Sequence, residues 1–211
     1  MKRRHLVQLI GAAALLAACG KEQRLTLMAP GGRVLAFGDS VTYGTGAGRG
    51  EDWPTLLAQR TGWQIANAGI PGDTAEVAKS RLPAALDEHR PALVIIELGG
   101  NDFLRRRSGK AVKEDLRQML GMVRQAGAQA VLVAVPEFSL LGVVARRPAD
   151  SPIYRELGDE EQVPVIEDVF SDILGRSELC ADQIHPNAQG YQEMAAGIHA
   201  ALQKFGLAVP G

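Results

Sequence analysis

Cysteine is scarce in this chain: Cys19 and Cys180 are the two among 211 residues. With the thiol of Cys19 expected to be acylated, that of Cys180 has no partner for an internal disulfide, so the fold must rest on its core. A basic excess is also missing. Lysine and arginine number 23 against 24 acidic residues, which removes the electrostatic footprint that a phosphate backbone requires, and nucleic acid is not an expected partner. No low-complexity tract occurs, and 46% hydrophobic with 22% charged residues is the composition of a globular domain, not of a disordered one. Gly44, Gly46, Gly48 and Gly50 alternate, yet neither a Gly-x-Gly-x-x-Gly nor a phosphate-loop spacing appears, so nucleotide binding has no support and a flexible loop is the reading. Asp39, Asp102, Asp182 and His185 would suit a metal-dependent phosphoesterase, but the His-rich spacing of zinc sites is absent. No metal and no other cofactor is expected. The apolar run of residues 6–16 is too short to span a bilayer.

What that run does have is the layout of a bacterial export signal: Lys2, Arg3 and Arg4 precede it, and small residues follow. It ends in Leu16-Ala17-Ala18-Cys19, which resembles the lipobox of bacterial lipoproteins. That resemblance implies cleavage before Cys19 and acylation of its thiol. The expected organisation is a signal peptide over residues 1–18, a lipid-anchored tether over 19–32 and a single domain over 33–211. Gly20 after the cysteine fits sorting to the outer membrane, facing the periplasm. Loss of residues 1–18 leaves a mildly acidic mature chain, near −4. A monomer is the expected state.

From residue 33 on, short runs rich in Val and Ile alternate with longer segments of helical period, the pattern of an α/β domain with a parallel sheet. Five strands are predicted, over residues 34–37, 64–68, 93–98, 130–135 and 163–166, the third reading as buried on both faces. Helices are predicted over 53–60, 74–89, 110–125, 153–161 and 188–205, with Pro83 expected to kink or split the second.

Ligands of open α/β sheets bind beyond the carboxyl ends of the strands, so the loops there are where chemistry is to be sought. Gly38-Asp39-Ser40-Val41-Thr42 follows the first strand, Gly69-Ile70-Pro71-Gly72-Asp73-Thr74 the second and Gly99-Gly100-Asn101-Asp102 the third, while Asp182-Gln183-Ile184-His185-Pro186 lies near the far end. Each by itself reads equally well as a helix cap, a tight turn or a surface histidine. Three loops at one rim, joined by an Asp-His pair, supply every part that acyl transfer needs.

These residues resemble the SGNH, or GDSL-type, hydrolase family, whose four blocks are marked by Ser, Gly, Asn and His; Ser40, Gly72, Asn101 and His185 match them. Trp53-Pro54-Thr55-Leu56-Leu57, Gly72-Asp73-Thr74, Arg81-Leu82-Pro83 and the run from Glu97 to Asp102 are similar to the bacterial acyl-thioesterase, arylesterase and lysophospholipase branch. Val41 replaces the leucine of the family's name motif, and residues 137–152 do not match the branch's substrate loop. The resemblance implies a three-layer α/β/α sandwich with a five-stranded parallel sheet in flavodoxin-like order. It also implies a serine esterase for aryl, acyl or lysophospholipid esters and thioesters, with an oxyanion hole made by the backbone N–H groups of Ser40 and Gly72 and the side-chain amide of Asn101.

Chemistry assigns the remaining roles. A serine hydroxyl needs an adjacent base, and His185 is the good candidate: His5 lies in the signal, His89 at the opposite rim and His199 inside the last helix. Asp182, three residues before His185, is placed to hold its ring. Asp39, Asp73 and Asp102 read as loop braces, and Cys180 as a small buried filler. Arg105, Arg106 and Arg107 suit either an anionic head group or a solvated face. Phe103, Leu104, Phe138, Leu140, Leu141 and Val143 are candidates both for an acyl tunnel and for core. Two other functions use the same fold: removal of acetyl groups from envelope polysaccharide, and a non-enzymatic binding module, whose mark would be a broken site.

Overall fold

The structure is a computed structural model that describes residues 25–137 and 148–209. The signal peptide, Cys19 and four of the tunnel candidates (Phe138, Leu140, Leu141 and Val143) therefore lie outside the described residues.

Five strands, β1 (Arg33–Gly38), β2 (Gln64–Gly69), β3 (Leu93–Glu97), β4 (Gln129–Val133) and β5 (Val165–Ile166), form one sheet. Its order is β2-β1-β3-β4-β5, and every pairing is parallel. This is the doubly wound, flavodoxin-like order, in which the direction of winding reverses between β1 and β3 and opens a crevice at their carboxyl ends. With helices packed on both faces the sheet makes the expected three-layer α/β/α sandwich. β1 and β3 are central, and their residues 34–37 and 93–96 are at most 1% exposed, which is why both read as unbroken apolar runs.

The helices are α1 (Ser40–Tyr43), α2 (Trp53–Thr61), α3 (Ala75–His89), α4 (Gly100–Leu104), α5 (Gly109–Gln125), α6 (Pro152–Glu161), α7 (Val169–Leu174) and α8 (Ala188–Lys204). α2 packs on α8 and α8 on α7; α3 packs on α5 and α5 on α6, giving the two outer layers. Their starts are fixed by side-chain caps: Asp52 accepts from the N–H of Thr55, Thr74 from Val77, Ser108 from Ala111 and Asn187 from Gly190. On α5, Val112, Leu116, Met119, Leu120 and Val123 form the buried stripe that helical period demands.

Two expectations change. Pro83 neither ends nor splits α3, which runs through it to His89; proline removes one backbone donor, and burial of Ala78, Leu82 and Leu86 around it holds the helix together. Of the segment expected to be a tether, residues 19–32, the described part begins at Leu25. Residues 25–32 pack on the domain: Met28 is 6% exposed, its N–H donates to the Leu207 carbonyl, and its own carbonyl accepts from the Trp63 indole.

α1, which carries Ser40, is pressed against the carboxyl end of β2. A Cβ on Gly69 would lie 2.2 Å from the Tyr43 nitrogen and 2.7 Å from the Thr42 carbonyl carbon. Both are backbone atoms that no rotamer change can clear. Gly69→Ala is therefore expected to lower unfolding free energy in urea by about 1–3 kcal/mol, the usual range for overpacking, and to reduce turnover by shifting α1. An unchanged denaturation midpoint would show that the strand end yields without strain.

Candidate active site

The first requirement of the site is a sharp turn at the end of β1, and Asp39 makes it. Its carboxylate Oδ1 accepts from the N–H of Val41 at 3.0 Å and caps α1. Ser40 is the first residue of that helix, where N–H groups have no partner within the helix. The cap occupies the Val41 N–H, while that of Ser40 has no partner among the described residues and is open to a ligand.

His185 arrives from the other end of the chain. The loop before α8 is closed by Asp182, whose Oδ1 accepts from the N–H groups of Ile184 and His185, each at 2.8 Å. Its other oxygen, Oδ2, lies 2.7 Å from His185 Nδ1, and His185 Nε2 lies 2.9 Å from Ser40 Oγ. The three residues predicted from sequence thus form one continuous hydrogen-bonded chain. The side chain of His185 is 13% exposed and that of Asp182 is 54% exposed. Burial raises the Asp182 carboxyl, but the hydrogen bonds from the His185 ring and the two backbone N–H groups outweigh it and hold the group below the ordinary Asp value.

Gly72 sits beyond β2 with φ +86°, a conformation that side chains rarely adopt, and a Cβ there would meet nothing within 4 Å. The turn geometry, more than crowding, is what asks for glycine. Asn101 lies in α4, directly after β3, across the crevice from Ser40. Its Nδ2 donates to Asp39 Oδ2 and to the Asp73 carbonyl, each at 3.0 Å. Both amide hydrogens are thus committed, and an oxyanion would have to displace one acceptor.

The remaining candidates separate cleanly. Asp73 is bound by Arg81, and Asp102 accepts from the N–H of Ala75 and from Arg107, so both brace loops. Phe103 is 7% exposed and belongs to the core, whereas Leu104 is 47% exposed and lines the cleft at Ser40. Cys180, expected as a buried filler, is half-buried, its thiol donating to the Ile173 and Arg176 carbonyls at 3.5 Å, and burial, then the neighbouring Asp182 and Glu178, push that thiol up. Among the described residues no group of three or more His, Cys, Asp or Glu is placed to hold a metal ion.

Sequence reasoning missed Glu97. It ends β3, is 1% exposed and accepts from the Thr42 hydroxyl at 2.8 Å, while its Oε1 has no partner among the described residues. Burial, then the neighbouring Asp39, push its carboxyl well above the ordinary Glu value. A lone acid closing an otherwise apolar strand was the signal available. Asp39 is 2% exposed; its burial raises it from 3.8 to about 6, against the hydrogen bonds from Val41 and Asn101. Between those two values the folded protein holds a proton that the unfolded chain has released, so stability falls as pH rises from about 4 to about 6. The difference in unfolding free energy between the wild type and Asp39→Asn is expected to change by roughly 3 kcal/mol from pH 4 to pH 7. A difference independent of pH would show that Asp39 ionises freely in the fold.

Residues 36–193 match the GDSL-like Lipase/Acylhydrolase family. The chain is 34% identical over 177 residues to "Thioesterase 1/protease 1/lysophospholipase L1" of Escherichia coli K12, covering 81% of this chain and 83% of that protein. It is 32% identical over 200 residues to "Esterase TesA" of Pseudomonas aeruginosa, covering 90% and 98%. Among solved structures, the psychrotrophic esterase EstA from Pseudoalteromonas sp., in a form inhibited by monoethylphosphonate, superimposes with a TM-score of 0.70 at 25% identity, over 82% of this chain and 97% of that one. The chain belongs to the GDSL-like lipase/acylhydrolase family and is a carboxylic ester hydrolase.

Proposed function

We propose that Ser40, His185 and Asp182 hydrolyse the ester through an acyl-enzyme. The observation that carries this reading is the 2.9 Å approach of His185 Nε2 to Ser40 Oγ, with Asp182 on the opposite ring nitrogen. His185 removes the Ser40 proton as Oγ attacks the carbonyl carbon, then delivers that proton to the departing alcohol. Asp182 keeps the Nδ1 hydrogen in place and stabilises the imidazolium. The negative oxygen of the tetrahedral intermediate is received by the N–H groups of Ser40 and Gly72 and by Asn101 Nδ2, one of whose hydrogens leaves its resting acceptor. Water, activated by His185 in the same way, then releases the acid and regenerates Ser40.

The substrates are aryl, acyl and lysophospholipid esters, with thioesters hydrolysed by the same steps. The named activities of the E. coli and P. aeruginosa relatives support this range, and exposed Leu104 at the cleft offers an apolar contact to an acyl chain. From sequence, the enzyme is a monomer held in the bacterial envelope, at the periplasmic face of the outer membrane, by acylated Cys19. Labelling with an alkynyl fatty acid, lost in Cys19→Ser, tests that placement.

The test of the site is covalent. An ethylphosphonate reagent should add its phosphonyl mass to the peptide bearing Ser40, and a series of 4-nitrophenyl esters from acetyl to palmitoyl should be turned over by the same protein. Label on another residue would refute the assignment of Ser40. Turnover of acetyl esters with none of longer chains would move the reading to polysaccharide deacetylation.

A further inference from the structure

At the rim of the site Arg105 is a cation held in place and, among the described residues, left without a carboxylate. Arg105 caps the carboxyl end of α4, one residue beyond Leu104, and its Nη2 donates to the Gly72 carbonyl at 3.1 Å. Among the described residues no carboxylate pairs with it. Its neighbours in the arginine run differ. Arg107 is occupied by Asp102, Asp115 and Glu76, whereas Arg106 is tied, among the described residues, through its backbone N–H to the Phe103 carbonyl. Of the three, Arg105 alone is both anchored to the Gly72 turn and exposed.

The charges around it make that placement informative. Asp39, Glu97 and Asp182 surround Ser40 and His185, while the cations Arg81 and Arg107 are spent on Asp73, Asp102 and Asp115. The Asp39 and Asp182 carboxylates disfavour a negative group on the ester, and Arg105 is placed to offset them. A guanidinium has five donors in a planar fork, and one of them on Gly72 leaves the rest free to bind a carboxylate or phosphate in two-point fashion. Leu104 beside it, with Ile70 and Tyr43 exposed at the same rim of strand ends, adds apolar surface next to the charge. Cation beside apolar surface is the pattern that an amphiphilic anion fits.

We infer that Arg105 binds an anionic group carried by the ester substrate and so selects anionic over neutral esters. The inference rests on the serine-esterase reading above. The negative group can belong to the acyl part or to the alcohol part, and the two are separable with three substrates: 4-nitrophenyl butyrate, neutral; 4-nitrophenyl hydrogen glutarate, with its carboxylate on the acyl side; and 4-sulfophenyl butyrate, with its sulfonate on the alcohol side.

The readout is the ratio of kcat/KM for each anionic ester to that for the neutral one, in the wild type, Arg105→Gln and Arg105→Lys. The ratio for the ester whose charge faces Arg105 should fall about five- to tenfold in Arg105→Gln, the range of an exposed charge-assisted contact. Arg105→Lys should recover part of it, and high salt should compress the wild-type ratio. Unchanged ratios overturn the inference. So does an equal loss on all three esters, which would make Arg105 a brace for the Gly72 turn and nothing more. Failure of the parent reading looks different: the neutral ester is then not hydrolysed by the wild type, or is hydrolysed equally by Ser40→Ala, and the anion site falls with it.

Discussion

Ser40→Ala is expected to lower kcat/KM on 4-nitrophenyl butyrate by a factor on the order of 10⁴–10⁶ while leaving the unfolding transition in place. Among the described residues Ser40 Oγ makes one side-chain hydrogen bond, to His185 Nε2, and Ser40 is not part of the core, so its removal strips chemistry from the site without unfolding it. What persists is the binding cleft and the oxyanion donors, which in triad enzymes leave roughly 10³-fold catalysis over water. His185→Ala should fall about as far, and the double variant no further, because nucleophile and base act as one unit. Asp182→Asn separates orientation from proton transfer. It retains an acceptor for the backbone N–H groups of Ile184 and His185 but presents an amide to Nδ1, favouring the wrong tautomer. Its expected loss is about 10²–10⁴-fold, smaller than that of Ser40, because water at the exposed Asp182 can take over part of the task. Additive losses in the double variant, or full activity in Ser40→Ala, would mean that another nucleophile does the work.

How much of this was legible in the chain follows from what leaves a periodic trace. The strands did: residues 34–37 and 93–96 are apolar without alternation because both faces are covered, and each was placed to within a residue or two. β5 was overextended. Val163 and Pro164 lie before it, and Pro164 contributes only its carbonyl, to Leu132. The short helices α1, α4 and α7 have four to six residues, too few for a stripe, so they were invisible as helices although α1 and α4 hold Ser40 and Asn101. Ser40 and Asn101 stood out as candidates nonetheless, because residue type together with a position after a strand is a signal independent of helix length, whereas Asp182 and His185 stood out by their spacing of three. Met28 was lost for the opposite reason. A single apolar residue among Leu25, Leu27 and Pro30 has no period at all, and only the partner surfaces at Leu207 and Trp63 show that it is core. Glu97 was hidden inside a pattern that fitted: one acid at the end of an apolar strand does not disturb the strand reading, and its proximity to Asp39 comes from the pairing of β3 with β1, a tertiary fact. The link from Arg105 to Gly72 spans two loops and is likewise beyond sequence spacing.

Asn101→Ala carries the second large effect, an expected fall of about 10²–10³ in kcat with kcat/KM reduced in parallel and KM little changed. The parallel loss follows if the amide is used in the transition state and hardly at all in the substrate complex. The resting structure fits that division, since both Nδ2 hydrogens are held by Asp39 Oδ2 and the Asp73 carbonyl. A neutral carbonyl oxygen competes poorly with those acceptors, and a developing oxyanion competes well. Keeping the Asp39 bond while giving up the Asp73 carbonyl would leave the amide anchored by the stronger, charge-assisted contact and free one hydrogen for the substrate. Alanine at 101 also deprives a buried carboxylate of one of its two donors, which pushes the Asp39 pKa further up and makes the variant less stable above pH 6 than below it. Asn101→Asp should be the worse variant on both counts, because it sets a third carboxyl beside Asp39 and Glu97 with no cation between them. A raised KM with kcat intact in Asn101→Ala would make the amide a ground-state contact, and the oxyanion would then have to be held by the N–H groups of Ser40 and Gly72 alone.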